Sequence, residues 1–179
     1  LSYRKAIEIK PDYAEAHYNL GVLLNDLGKL QDAELSYRKA IEIKPAYAEA
    51  HLNLGSILKD IGKLQEAELS TRKAIELNPN FANAYSNLGA ILKELGKLNE
   101  AEMSYRKAIN LKPDLAESYS SLGSILKYLG RFKEANTFFK KCLELDPHDL
   151  AYNIHAKLFV SRIPYNQLQI EKERQEINR

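Results

Sequence analysis

Residues 14–47 read AEAHYNLGVLLNDLGKLQDAELSYRKAIEIKPAY, and residues 48–81 read AEAHLNLGSILKDIGKLQEAELSTRKAIELNPNF. The two stretches agree at about two-thirds of their positions without a gap, and two further blocks of 34 residues follow at 82–115 and 116–149. All eight glycines fall in two columns of this register. Gly21, Gly55, Gly89 and Gly123 form one, and Gly28, Gly62, Gly96 and Gly130 form the other. Five of the six prolines, Pro11, Pro45, Pro79, Pro113 and Pro147, fall in a third. A period of this length marks a supersecondary unit stacked along the chain, because one such unit cannot bury its own apolar face.

Each column has a physical reading. The first half of a block carries apolar residues at helical spacing, as in Leu20, Leu24 and Leu27. Gly28 stops that helix, since glycine enters the left-handed cap without strain. A second helix follows through Leu30, Ala33, Tyr37, Ala40 and Ile41. Pro45 ends it, for want of an amide hydrogen and by restricting the residue before it. Asp12 with Glu15, and Asp114 with Glu117, have capping-box spacing for the next helix. The connection between the helices is short enough to force an antiparallel hairpin. Glycine in mid-helix costs about 1 kcal/mol against alanine, so Gly21 and its equivalents imply close helix approach. The column Ala33, Ala67, Ala101 and Ala135 is expected to face them. Cys142 stands in the second alanine column and reads as a small buried hydrophobe.

The set Leu20-Gly21, Leu24, Ala33, Tyr37, Ala40 and Pro45 on this period resembles the tetratricopeptide-repeat family, over residues 1–149. The resemblance implies an all-α chain, a right-handed superhelical solenoid of antiparallel helix pairs with a C-terminal capping helix. Where the family often has tryptophan, this chain has His17, His51, Tyr85 and Tyr119, and Thr71 replaces an aromatic found at Tyr3, Tyr37, Tyr105 and Phe139. The organisation expected is the second helix of a truncated repeat at 1–13, repeats at 14–47, 48–81, 82–115 and 116–149, a capping helix at 150–163, and a charged helical tail or linker at 164–179. The opening residues read as the middle of a helix, so a piece of a longer protein is expected. The first helix, with Tyr3, Ala6, Ile7 and Ile9, would leave an apolar face partly uncovered and open to self-association.

Composition narrows the function. The formal net charge is +2, with 26 basic against 24 acidic residues, so no field for nucleic acid is expected. No apolar run nears the ~20 residues a membrane span needs, and the start lacks signal-peptide architecture. One cysteine makes no internal disulfide, and a reducing, cytoplasmic setting is the natural reading. No zinc, phosphate-loop or serine-elbow motif is present, so neither catalysis nor a cofactor or metal is expected of this chain. Glu34, Glu68 and Glu102 stand four residues before Arg38, Arg72 and Arg106, the favourable helix ion-pair order, and read as a solvated outer face.

The column of interest is Asn19, Asn53 and Asn87, with Ser121 fourth. In the family it resembles, this face lines a concave groove. Asparagine offers a donor and an acceptor in one planar group, so it can bond the backbone of an extended peptide whatever the side chains. The column resembles the repeat arm of O-linked N-acetylglucosamine transferases. Beside it lie the small residues Val22, Ser56, Ala90 and Ser124, then Asn25, Lys59, Lys93 and Lys127, followed directly by Asp26, Asp60 and Glu94 in the first three repeats. The chaperone-tail clamp known in the family needs lysine and asparagine where this chain has Tyr18 and Val22, so that ligand is not expected. The leading expectation is a protein-interaction scaffold that holds a peptide or protein segment in its groove. The alternative is the substrate-recognition arm of a larger enzyme such as a glycosyltransferase.

Overall fold

The computed structural model describes residues 2–147, and the capping helix and tail expected beyond 149 lie outside them. The described residues form nine α-helices and no strand: α1 (Ser2–Ile9), α2 (Ala14–Asp26), α3 (Leu30–Ile43), α4 (Ala48–Asp60), α5 (Leu64–Leu77), α6 (Ala82–Glu94), α7 (Leu98–Leu111), α8 (Ala116–Tyr128) and α9 (Phe132–Leu145). The chain divides into two compact units, Leu1–Leu111 and Lys112–Arg179. No helix among the described residues is long and apolar enough to cross a membrane.

The helix ends follow the glycine and proline columns. At the end of α4, Gly62 takes φ +80°, its N–H donates to Lys59 O at 2.9 Å, and the Lys63 N–H reaches back to Leu58 O at 2.8 Å. This paired cap satisfies two carbonyls that the helix end would otherwise orphan. The starts differ from expectation. The N-caps of α2 and α8 are Tyr13 and Leu115, and neither makes a side-chain cap hydrogen bond. The helices begin one residue too late for Asp12 or Asp114 to occupy the cap, so the capping boxes do not form. His17 and His51 instead close the loops: each Nε2 lies 3.0 Å from a carbonyl, of Pro11 and Pro45 respectively. A carbonyl only accepts, so each Nε2 carries the hydrogen.

In the first unit α2 packs on α3, α4 on α5 and α6 on α7 as pairs; α3 and α5 then meet α4 and α6, and the first helices touch along α2–α4 and α4–α6. The core runs through Leu24, Tyr37, Leu54, Ile57, Leu58 and Ile91. The mid-helix glycines do mark close approach, but their nearest neighbours are not the alanines. A Cβ on Gly89 would stand 2.8 Å from Tyr105 Cε2, and one on Gly55 would collide with Thr71 Oγ1. The column that replaces aromatics by Thr71 is therefore the one that the glycines admit, and Thr71 is itself fully buried. In the second unit α8 packs on α9, Gly123 faces Phe139 in the same way, and Cys142 is buried beside them.

The ion pairs at helical spacing are present on an exposed outer face, and they also extend across repeats. Arg38 bonds Glu34 on its own helix and Glu66 on α5, while Lys63 Nζ returns to Glu34 at 3.1 Å. One repeat on, Arg72 bonds Glu68 at 2.9 Å and Glu100 at 2.7 Å, and Lys97 bonds Glu68 at 2.8 Å. The side chains of Glu34 and Glu68 are only 10% and 13% exposed. Burial pushes the Glu34 carboxyl up, but the bonds from Lys63 and Arg38 outweigh it and hold its pKa below the ordinary value. The bond from Lys97, opposed by burial and joined by Arg72, does the same for Glu68.

Candidate interaction surface

Asn19, Asn53 and Asn87 occupy the same place on α2, α4 and α6, and all three are half-buried. Ser121 holds the matching place on α8, in the second unit, and is also half-buried. The position follows from the repeat: a residue one before the leucine of the Leu-Gly pair, buried in the second to fourth repeats and partly buried in the first, turns partly away from the hairpin partner. Two of the three amides are anchored at one end. Asn53 Nδ2 lies 3.2 Å from Tyr18 Oη and 3.5 Å from Tyr37 Oη. Asn87 Nδ2 lies 3.4 Å from Thr71 Oγ1. Each reaches the second helix of the preceding pair, sixteen residues back. Among the described residues the opposite end of each amide bonds nothing, and Asn19 makes no side-chain hydrogen bond. Because a hydroxyl both donates and accepts, the anchor leaves either the donor or the acceptor end of the amide free to face a ligand.

Beneath Asn53 sits an aromatic cluster that column spacing did not reveal. The Tyr18 ring lies 5.8 Å from that of Tyr37 and 4.9 Å from that of Tyr47, both tilted. Lys44 Nζ stands 4.4 Å from the Tyr47 ring centroid and 3.4 Å from Glu15 Oε1. Burial pushes the Tyr37 hydroxyl up to about 12 and raises Tyr18 and Tyr47 as well, so all three stay protonated near neutrality. The sequence signal was available: Tyr47 stands immediately before α4, where its ring falls against that of Tyr18 on the preceding first helix.

The flanking positions are less uniform. Asn25 is exposed at the end of α2. Lys59 is partly buried and pairs with its neighbour Asp60 at 3.3 Å, so the acid row does blunt the lysine row there. Lys93 is exposed and makes no ion pair among the described residues. Lys127 is exposed on α8 in the other unit. No group of three histidine, cysteine or acidic side chains among the described residues could hold a metal ion.

Sequence models described as tetratricopeptide repeat match residues 14–47, 36–68 and 80–148, and one described as TPR repeat matches 1–25 and 55–96. A crystal structure of MamA is 33% identical, with TM-score 0.76, over 81% of this chain and 85% of that one. The chain belongs to the tetratricopeptide-repeat family. A second solved structure, the thermophilic TPR protein TTC0263 of Thermus thermophilus, is 25% identical with TM-score 0.72 over 88% of this chain and 87% of that one. MamA of Desulfovibrio magneticus RS-1, 23% identical with TM-score 0.75 over 83% and 84% of the two chains, shares the fold. No curated protein sequence matches. The tetratricopeptide-repeat fold here is an all-α solenoid of helix pairs, and domains of this family mediate protein–protein interactions.

Proposed function

We propose that this tetratricopeptide-repeat chain is an interaction scaffold that holds an extended segment of a partner polypeptide along Asn19, Asn53 and Asn87. The observation that supports the reading is the half-buried amide with one end anchored and the other free. Anchoring fixes the amide before a ligand arrives, which lowers the ordering cost of each bond. The first helices that carry the column touch one another, at the ~8–10 Å separation typical of packed helices. An extended chain advances about 3.3 Å per residue, so one amide would meet its backbone at about every third residue. Asn25, Lys59 and Lys93 flank that path within the first unit, and Ser121 and Lys127 are proposed as the corresponding contact positions of the second unit by itself.

The test uses a phage-displayed random peptide library selected on the protein, then the enriched peptide titrated against Asn19→Ala/Asn53→Ala/Asn87→Ala. Each lost bond is expected to weaken binding by about 0.5–1.5 kcal/mol, with helicity by circular dichroism retained. Equal affinity of the triple variant would reject the ladder.

The same column supports a second reading, in which the repeats present a protein substrate to a catalytic domain such as a glycosyltransferase. Sequencing the full reading frame separates the two. The scaffold role is proposed for a reducing cytoplasmic setting, to which the lone thiol points. Self-association is proposed through α1, where Tyr3 and Ile9 are 38% and 79% exposed. A dimer in sedimentation that Ile9→Lys leaves intact would remove α1 from that role.

A further inference from the structure

We propose that the groove between α5 and α7, floored by α6, docks a segment of a partner protein that carries one apolar side chain and a nearby acidic side chain. Two grooves of this kind occur one repeat apart in the first unit. Ile41, His51, Leu54 and Leu69 line the one between α3 and α5, with a volume of about 470 Å³. Ile75, Tyr85, Leu88 and Met103 occupy the same places, 34 residues on, in the one between α5 and α7, with a volume of about 790 Å³. Leu69 and Met103 are each 71% exposed, and Leu35 holds the same column at 66%. Recurrent exposure of a large apolar side chain at the rim of an apolar groove is the mark of a contact surface and not of a solvated face.

The two grooves differ in what they can bond. In the first, His51 Nε2 is occupied by the Pro45 carbonyl, and Lys73 on the rim is neutralised by Glu76 at 2.7 Å. In the second, tyrosine replaces the histidine and Asn110 replaces the glutamate. The Tyr85 hydroxyl and the Lys107 ammonium consequently bond nothing among the described residues. Elsewhere the same lysine column is paired, as Lys39 with Glu42 and Lys141 with Glu144. Arg72 also lines the second groove, where it is already held by Glu68 and Glu100, and the groove's own acid, Glu76, is held by Lys73. Two sequence changes thus release two donors in one apolar groove of positive balance. An acidic side chain beside an apolar anchor offers these donors an acceptor while the anchor enters the groove. This site uses none of the asparagine column, so it stands apart from the function proposed above.

Met103 is the only methionine in the chain, so methyl-¹³C methionine labelling gives one NMR signal at the groove rim. The probes are two pools of C-terminally amidated hexapeptides, one with a fixed leucine and two glutamates, the other with lysines for the glutamates, the rest glycine and serine. The Met103 methyl signal is expected to shift saturably with the acidic pool and more weakly with the basic one. Asn110→Glu, at an exposed position, should restore the partner of Lys107 and weaken the acidic pool by about two- to fivefold. Lys107→Glu should reverse the ranking of the pools, and Tyr85→Phe should weaken the acidic pool alone. The triple asparagine variant should titrate like the parent. A signal that does not move, that moves equally for both pools, or that ignores Asn110→Glu and Lys107→Glu overturns the proposal. Loss of the titration in the asparagine variant would reassign the peptide to that column.

Discussion

A Cβ built on Gly21 would stand 2.7 Å from Cε1 of Tyr37, so the tyrosine ring lies flush against the glycine backbone. Tyr37 is 1% exposed and is held by its neighbours, leaving the ring no free volume to move into. Alanine at Gly21 gains about 1 kcal/mol of helix propensity but overpacks the contact, at a cost of about 1–3 kcal/mol. Gly21→Ala is therefore expected to lower the melting temperature, and Gly89→Ala, against Tyr105, should do the same. Gly55→Leu should lose at least as much. A higher melting temperature for either alanine variant would show that propensity, and not packing, sets these positions.

The helix pairs were legible because glycine and proline act locally. Gly28 and Pro45 end helices through their own backbones, whatever surrounds them. What lay across the hairpin was not legible from columns alone. Tyr37 and Ala33 are one turn apart on α3, and only side-chain length decides which of them reaches Gly21. The ion ladder was half legible: Glu34 to Arg38 is a helical spacing, whereas Arg38 to Glu66 spans repeats and follows no helical period. Its sign in the sequence is the recurrence of that same separation at Arg72 and Glu100. The asparagine column was visible as a column, but its anchoring by Tyr18 and Tyr37 needed three dimensions. The docking groove had a signal that passed unused, the apolar series Leu35, Leu69 and Met103 on otherwise polar faces.

Gly62 tests the backbone without the packing. It sits at φ +80° with nothing within 4 Å of where a Cβ would stand. Substitution there meets strain alone, on the order of 1–2 kcal/mol for an ordinary residue, and less for asparagine. Thermal unfolding should rank the parent above Gly62→Asn, and that above Gly62→Ala. A Gly62→Ala variant as stable as the parent would mean that the cap relaxes out of the left-handed region.

Acid should act through the inter-repeat ladder. The Glu34 and Glu68 carboxyls titrate below their ordinary 4.5 in the folded chain, so folding favours their charged form. The stability they contribute is present above that value and is lost as pH falls through the lower folded pKa. Glu34→Gln/Glu68→Gln should melt lower than the parent near neutrality and should fall less steeply below pH 4.5. Parallel melting curves for the two proteins across that range would place the acid sensitivity elsewhere.

The anchored amide of Asn53 makes a prediction that separates support from recognition. Its contacts with the Tyr18 and Tyr37 hydroxyls, at 3.2 and 3.5 Å, belong to the fold, whereas the free end is the one we propose for the ligand. Tyr18→Phe/Tyr37→Phe removes the anchor and keeps both rings. In a double-mutant cycle with Asn53→Ala, the two changes should couple in stability by about 0.5–1 kcal/mol, since they delete one interaction. Peptide affinity should behave differently. The phenylalanine variant leaves the amide in place but unfixed, so it should weaken the library-selected peptide less than Asn53→Ala does. Adding Asn53→Ala to it should then weaken the peptide further. If the phenylalanine variant alone loses as much affinity as Asn53→Ala, the hydroxyls and not the amide contact the ligand, and the asparagine is only their support.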